Sequence, residues 1–310
     1  MRHLTIRHIT VLLVLLWPAL SAYPAHARPA DGGYRVILWC GDTVARNRGS
    51  TQELARACRE LGVTALMTGP AGDPGPWRAL GLDYYVENIV SPGLCLKFRS
   101  SVTDWSAFIT QWMKTRSPDA FTRDVCLSDP AWRARARADM RRAAERHAPW
   151  NPLLYDIRDE LSVTVSANPF DYDFAPASLA ALRLRLRRHY PSLDALNAAW
   201  LTRFNTWEAV RPFSTDEIKA RLAGRVEALG RQPDWAALRA MRYTPQRVRA
   251  EPERWHLAPW CDFRTFMDDT LAETLADLRD GAREADPATP VGIEGTQMPS
   301  AWGGYDLWKL

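Results

Sequence analysis

Short apolar runs alternate with amphipathic stretches along most of this chain. Residues 34–39 (YRVILW) are apolar and β-rich, bounded by Gly32-Gly33 and Gly41-Asp42, as a buried strand requires. Ser50, with Glu53 three positions on, marks a helix start; Leu54, Ala57, Cys58 and Leu61 form its apolar stripe and Gly62 ends it. Residues 63–67 (VTALM) read as a second strand, followed by a loop rich in Gly and Pro. A short helix around residues 77–80 precedes a third strand at 82–90 (LDYYVENIV). Strands and helices alternating at this spacing predict a parallel sheet with helices outside it.

From 91 to 128 the pattern loosens into a long excursion with its own short helix at about 104–114. A strong helix is predicted from Asp129-Pro130 to about His147, and its six arginines (Arg133, Arg135, Arg137, Arg141, Arg142, Arg146) read as a solvated face before a basic groove. Residues 153–157 (LLYDI) are the fourth strand, which delivers Arg158-Asp159-Glu160 at its C-terminal end. The stretch 181–188 alternates like a strand, but Leu179, Leu182, Leu186 and Tyr190 fall at helical spacing, so a helix is expected. A further helix spans 262 to about 284, stopped by Asp286-Pro287, and 290–294 (PVGIE) is the fifth strand. The expected fold is α/β, a TIM (β/α)₈ barrel incomplete at the C-terminus, with about five of eight βα units because closure needs eight. Residues 28–310 would form this partial barrel, with 190–261 as an insertion.

The first 27 residues read as a signal peptide: Arg2 and Arg7, an apolar run at 9–16, and Ala25-His26-Ala27 at the cleavage spacing. That run is too short for stable membrane insertion, so the expected location is secreted or periplasmic. Removing it leaves 38 basic residues against 36 acidic, a nearly neutral protein for which nucleic acid is not an expected partner. Five cysteines (Cys40, Cys58, Cys95, Cys126, Cys261) without a CxxC pair indicate neither a disulfide framework nor a zinc ribbon. His147, His189 and His256 have no partner at ligand spacing. The 14 Trp are heavy for this length; their flat faces suit sugar rings as well as core packing.

Glu160 is the leading catalytic candidate, because active sites of parallel barrels assemble at the C-terminal ends of the strands. Cleaving a glycosidic bond takes two carboxyl groups, one to protonate the leaving oxygen and one to attack or to activate water. Asp159 beside it would raise its pKa and accept a sugar hydroxyl. On spacing alone the pair would serve equally well as a cap for the next helix. Glu294, at the end of its own strand, is a substrate-pocket candidate, with roles as nucleophile or as a loop-fixing group left open. Trp39, Gln297 and Trp302, and more weakly Asp42, Asn88 and Tyr305, fall at predicted strand ends or in the loops that follow.

The strand LLYDIRDELS, then Asn168-Pro169-Phe170-Asp171, residues 184–200 (LRLRRHYPSLDALNAAW) and 204–207 (FNTW) resemble glycoside hydrolase family 42, the β-galactosidase-like barrels. The segment 290–310 is similar to that family's fifth strand and loop. The resemblance implies Glu160 as acid/base and a nucleophilic Glu on a seventh strand, beyond Leu310. Asp159 stands where the family has Asn. The zinc-binding cysteines of some members have no counterpart in 161–173, so no metal is expected, and no cofactor. Trimers are common in the family, which implies a homo-oligomer.

The expected function is an exported glycosidase that cleaves O-glycosyl bonds of a carbohydrate substrate with retention, inactive without its nucleophile. The alternative is a non-catalytic carbohydrate-binding barrel, for which the Asp159 substitution speaks. A metal-dependent deacetylase is disfavoured by the lack of clustered ligands.

Overall fold

The computed structural model describes residues 35–39, 50–90, 94, 114–117, 122, 125–159, 161, 173–213, 217, 257–294, 306 and 308–310. The expected signal segment, and all of the helix predicted at about 104–114 except its last residue, lie outside them. Five parallel strands form one sheet in the order of the sequence: β1 (Ile37–Leu38), β2 (Ala65–Thr68), β3 (Asp83–Val86), β4 (Tyr155–Asp159) and β5 (Val291–Glu294). The helices are α1 (Thr51–Glu60), α2 (Gly75–Ala79), α3 (Pro130–His147), α4 (Pro176–His189), α5 (Leu193–Trp200) and α6 (Ala258–Arg283). An α/β chain whose parallel strands neighbour one another in chain order, with no reversal point, matches the wall of a TIM-like fold rather than a doubly wound sheet.

Local chemistry accounts for the predicted elements. Ser50 caps α1 by accepting the Glu53 amide at 3.2 Å. The helix ends where Gly62 takes φ 71°, so that the amides of Gly62 and Val63 reach back to the carbonyls of Arg59 and Cys58; Gly81 closes α2 in the same way. These closures drop Val63 and Leu82 into a core with Leu54, Cys58, Leu66 and Trp77. The helix over 181–188 is real and starts at Pro176, a residue pre-set for a first helical turn. Strand four reaches two residues further than the pattern indicates, so Asp159 lies within β4.

Contacts divide the chain into two compact units, the first made of Met1–Ile89, Arg137–Asp159 and Arg279–Glu294, the second of the remaining residues. In the first unit the sheet is tied to its helices by buried polar groups. The Tyr84 hydroxyl meets His147 Nδ1 at 3.3 Å, while His147 Nε2 donates to the Pro70 carbonyl at 3.2 Å. Burial pushes the His147 pKa down, so this imidazole is a neutral brace. Asp286, expected to stop a helix, also accepts Tyr155 Oη at 2.9 Å and Thr289 Oγ1 at 2.6 Å at the entry to β5. The α3 arginines are largely engaged at the surface: Arg137 with Glu284, Arg142 with Asp139 and Arg141 with Glu145. A solvated, charge-matched face is therefore what the helix presents there.

In the second unit, the segment that carries much of the family resemblance is a folding device. Asn197 donates to the Phe204 carbonyl and accepts from Phe204 N and Thr202 Oγ1, each at 2.8 Å. Trp200 is fully buried, its indole N–H on Asp262 Oδ2 at 2.7 Å, an oxygen shared with the Tyr190 hydroxyl. Among the described residues no helix is long and apolar enough to cross a membrane, Cys58 and Cys261 are free thiols, and Cys126 Sγ donates to Asp173 Oδ2 at 3.7 Å.

Gly281 on α6 faces Arg137 on α3 so closely that an added Cβ would lie 2.8 Å from the Arg137 carbonyl oxygen. Gly281→Ala should therefore lower stability by about 1–2 kcal/mol despite the better helix propensity of Ala, because backbone has to move. Denaturant melts of the two proteins check this; an unchanged or higher midpoint would contradict it.

Candidate functional site

A group of carboxyl side chains gathers at the C-terminal ends of β3, β4 and β5, all within the first unit. Glu87 follows β3 and is 1% exposed; Asp156 lies inside β4 and is fully buried. Asp159 closes β4 and Glu294 closes β5, and the two are register partners. Backbones of neighbouring strands run about 4.8 Å apart, so these side chains start side by side.

The way β4 presents two of its carboxyls depends on an irregularity. Asp156 pairs with Gly292 and Asp159 with Glu294, so three steps on β4 span two on β5, which is a β-bulge. In a regular strand, residues three apart point to opposite faces. With the extra residue taken up, Asp159 acts electrostatically on Glu87 and Glu294, and Asp156 in turn feels Glu294, Glu87 and Asp159.

Asn88 joins the pieces. Its φ of 57° is left-handed, a conformation that Asn tolerates better than most residues. Held so, its amide N–H donates to Asp156 Oδ2 at 3.2 Å, its Nδ2 to Glu87 Oε1 at 2.9 Å, and its Oδ1 accepts the Asp159 amide at 3.1 Å. Glu87 Oε1 also accepts the Trp39 indole N–H at 2.9 Å, and Oε2 accepts the Tyr85 hydroxyl at 3.3 Å. The Tyr85 hydroxyl interacts with Glu294 as well, which makes it a bridge between two carboxyls.

So many acids in one place are tolerated because some keep their protons. Burial, moderated by the Asn88 amide and reinforced by the neighbouring carboxylates, pushes Asp156 up to about 8. Glu87 is pushed up to about 7, by burial first and then by Glu294 and Asp159, against the indole and phenol hydrogen bonds. Glu294 is raised by burial and by Asp159. Asp156 Oδ1 has no hydrogen-bond partner among the described residues, which fits a carboxyl that stays neutral. Chemically, the group can store and release protons near neutrality and accept hydroxyl groups. Among the described residues, no three or more His, Cys, Asp or Glu side chains are placed to hold a metal ion.

Of the residues singled out in the sequence, Trp39, Asn88, Asp159 and Glu294 come together here. Glu160, Gln297, Trp302, Asp42 and Tyr305 lie outside the described residues. Glu87, Asp156 and Tyr85 were missed. A signal for the first two was present: an acid inside each of two otherwise apolar strands, YYVEN and LLYDI, has to face something other than a greasy core.

The titration of Asp156 gives a test. An unfolded Asp titrates near pH 4, so between about 4 and 8 the folded protein holds a proton that the unfolded chain releases, and stability falls as pH rises through that window. Asp156→Asn should flatten this decline and be on the order of 1–2 kcal/mol more stable than the parent near pH 9 relative to pH 5. Melts across the pH range decide it; parallel curves for the two proteins would refute a protonated Asp156.

Neither protein-family models nor curated proteins give a match. Solved structures do give partial likenesses. One is a cold-adapted β-galactosidase from Rahnella sp. R3, at 14% identity and TM-score 0.45 over 78% of this chain and 32% of that one. Another is an agarase, at 14% identity and TM-score 0.46 over 83% and 30%. A third is the catalytic domain of a β-amylase from Paenibacillus polymyxa, at 13% identity and TM-score 0.48 over 83% and 68%. The chain thus spans about a third of the length of the first two, 32% and 30%.

Proposed function

We propose that this chain belongs to the catalytic barrel of an exported glycoside hydrolase, β-galactosidase-like and retaining. The observation that carries the reading is the carboxyl group assembly of Glu87, Asp156, Asp159 and Glu294 at the C-terminal ends of three adjacent parallel strands, immediately before Glu160 in the chain. Hydrolysis of an acetal needs a proton donor and groups that accept ring hydroxyls; Glu160 would be the first, and Asp159 and Glu294 of this assembly would be the second, with Glu87 and Asp156 behind them. The sequence resemblance of strand four to glycoside hydrolase family 42 adds the role of Glu160.

In this scheme Glu160 protonates the departing glycosidic oxygen while a carboxylate attacks the anomeric carbon. Glu160, now ionised, then takes a proton from the water that releases the sugar. Asp159 and Glu294 accept hydroxyls of the bound ring, and the negative charge of Asp159 keeps the Glu160 proton in place until it is needed. The nucleophile expected from a seventh strand is none of the described residues. Residues 1–27 would direct export, residues 28–310 would belong to the catalytic domain with 190–261 inserted, and a homo-oligomer is part of the same reading.

Asp159 in place of Asn also favours a second reading, a carbohydrate-binding barrel without chemistry. Glu160→Gln in the full-length protein separates the two. On nitrophenyl β-galactoside we expect kcat/KM to fall by about 10²- to 10⁴-fold, with a smaller loss on the dinitrophenyl glycoside, whose leaving group needs no proton. Added azide, which needs no general base, should restore turnover of the dinitrophenyl substrate. Equal low rates for both proteins, with sugar still bound, would favour the binding protein.

A further inference from the structure

Trp39 is the one described aromatic side chain whose polar edge is fastened to the carboxyl group assembly while about half of its surface stays exposed. It is 49% exposed, yet its indole N–H donates to Glu87 Oε1 at 2.9 Å. Glu87 is itself immobilised: it is 1% exposed, takes the Asn88 Nδ2 donor on the same oxygen at 2.9 Å, and takes the Tyr85 hydroxyl on the other at 3.3 Å. An exposed indole normally samples several rotamers; one held by its N–H edge keeps both its position and the plane of its ring. A flat apolar face beside groups that accept hydroxyls is the pairing that a pyranose needs, with C–H bonds on one side and O–H bonds at its rim.

We propose that Glu87 is a positioning residue of the carbohydrate site, which fixes the Trp39 ring as the stacking platform for a sugar of the substrate. This rests on the glycoside hydrolase reading for the identity of the ligand, but not for the Glu87–Trp39 geometry. Glu87 then acts on ground-state binding through Trp39 and leaves the chemical step to others. Its removal should raise KM and spare kcat, which a general loss of structure would not do.

The experiment uses full-length protein labelled with fluorotryptophan, with the Trp39 fluorine resonance identified by its disappearance in Trp39→Phe. Glu87→Met matches the length of the side chain and lacks the acceptor. We expect it to shift and broaden the Trp39 resonance, to raise KM for nitrophenyl β-galactoside and Kd for galactose by about tenfold, and to keep kcat within about twofold. Glu87→Gln keeps a weaker oxygen acceptor and should fall between, with KM within about threefold of the parent. In the Trp39→Phe background, Glu87→Met should add less than about twofold, since its route to the sugar is already gone. An unmoved Trp39 resonance, or full additivity of the two substitutions, overturns the proposal. If Glu87→Met does not fold, Glu87→Gln decides alone, and a resonance that stays where it was counts against the idea. Galactose moving the Trp39 resonance without any turnover sinks the hydrolase reading and supports the platform; galactose leaving that resonance untouched in the parent protein overturns the platform.

Discussion

Asn88 is the constraint on which the carboxyl group assembly depends. One residue in a left-handed conformation uses its backbone amide, its side-chain amide and its side-chain carbonyl to hold Asp156, Glu87 and Asp159 at once. Acids this close repel one another whenever they ionise, and burial makes ionisation more costly still. Three directed hydrogen bonds and partial protonation offset that repulsion. Beside the bracket, the β3 and β4 segments are joined through their backbones, by hydrogen bonds such as Val86 N–H to the Leu154 carbonyl at 3.1 Å and Ile89 N–H to the Asp156 carbonyl at 3.3 Å, which do nothing to place the acid side chains.

The frame of the molecule was legible because it is built from local rules. Ser50, Gly62 and Asp286 each punctuate the chain where the sequence places a boundary, and the five strands follow from short apolar runs. The site was legible only in part. Trp39, Asn88, Asp159 and Glu294 could be found because they sit at strand ends, where a parallel sheet exposes its chemistry. Glu87 and Asp156 were hidden by their surroundings: a carboxyl inside an apolar run reads as an interruption until the neighbouring strands show what it faces. No periodicity argument gives the register between β4 and β5, because that register depends on a bulge.

The residues that carry the family resemblance divide into two kinds. The helix end with Asn197 and Trp200 is an architectural element, with every polar group of that pair spent on fastening a turn and a helix in the second unit. The strand-four acids are the ones to which the proposed chemistry is assigned. A pattern match weighs both equally, although only the second would bear on what the protein does to a substrate. Identification of a hydrolase from such a match therefore stands on far fewer side chains than the length of the matching segment suggests.

The bulge in β4 has a bearing on how this segment can change over evolutionary time. Which side of the sheet Asp156 and Asp159 occupy depends on the number of residues between them more than on what those residues are. Arg158, half-buried, can therefore drift in identity while the spacing stays fixed, whereas burial holds Ile157 to an apolar side chain. Lineages descended from this chain would be expected to accumulate exchanges at position 158 and almost never a gained or lost codon.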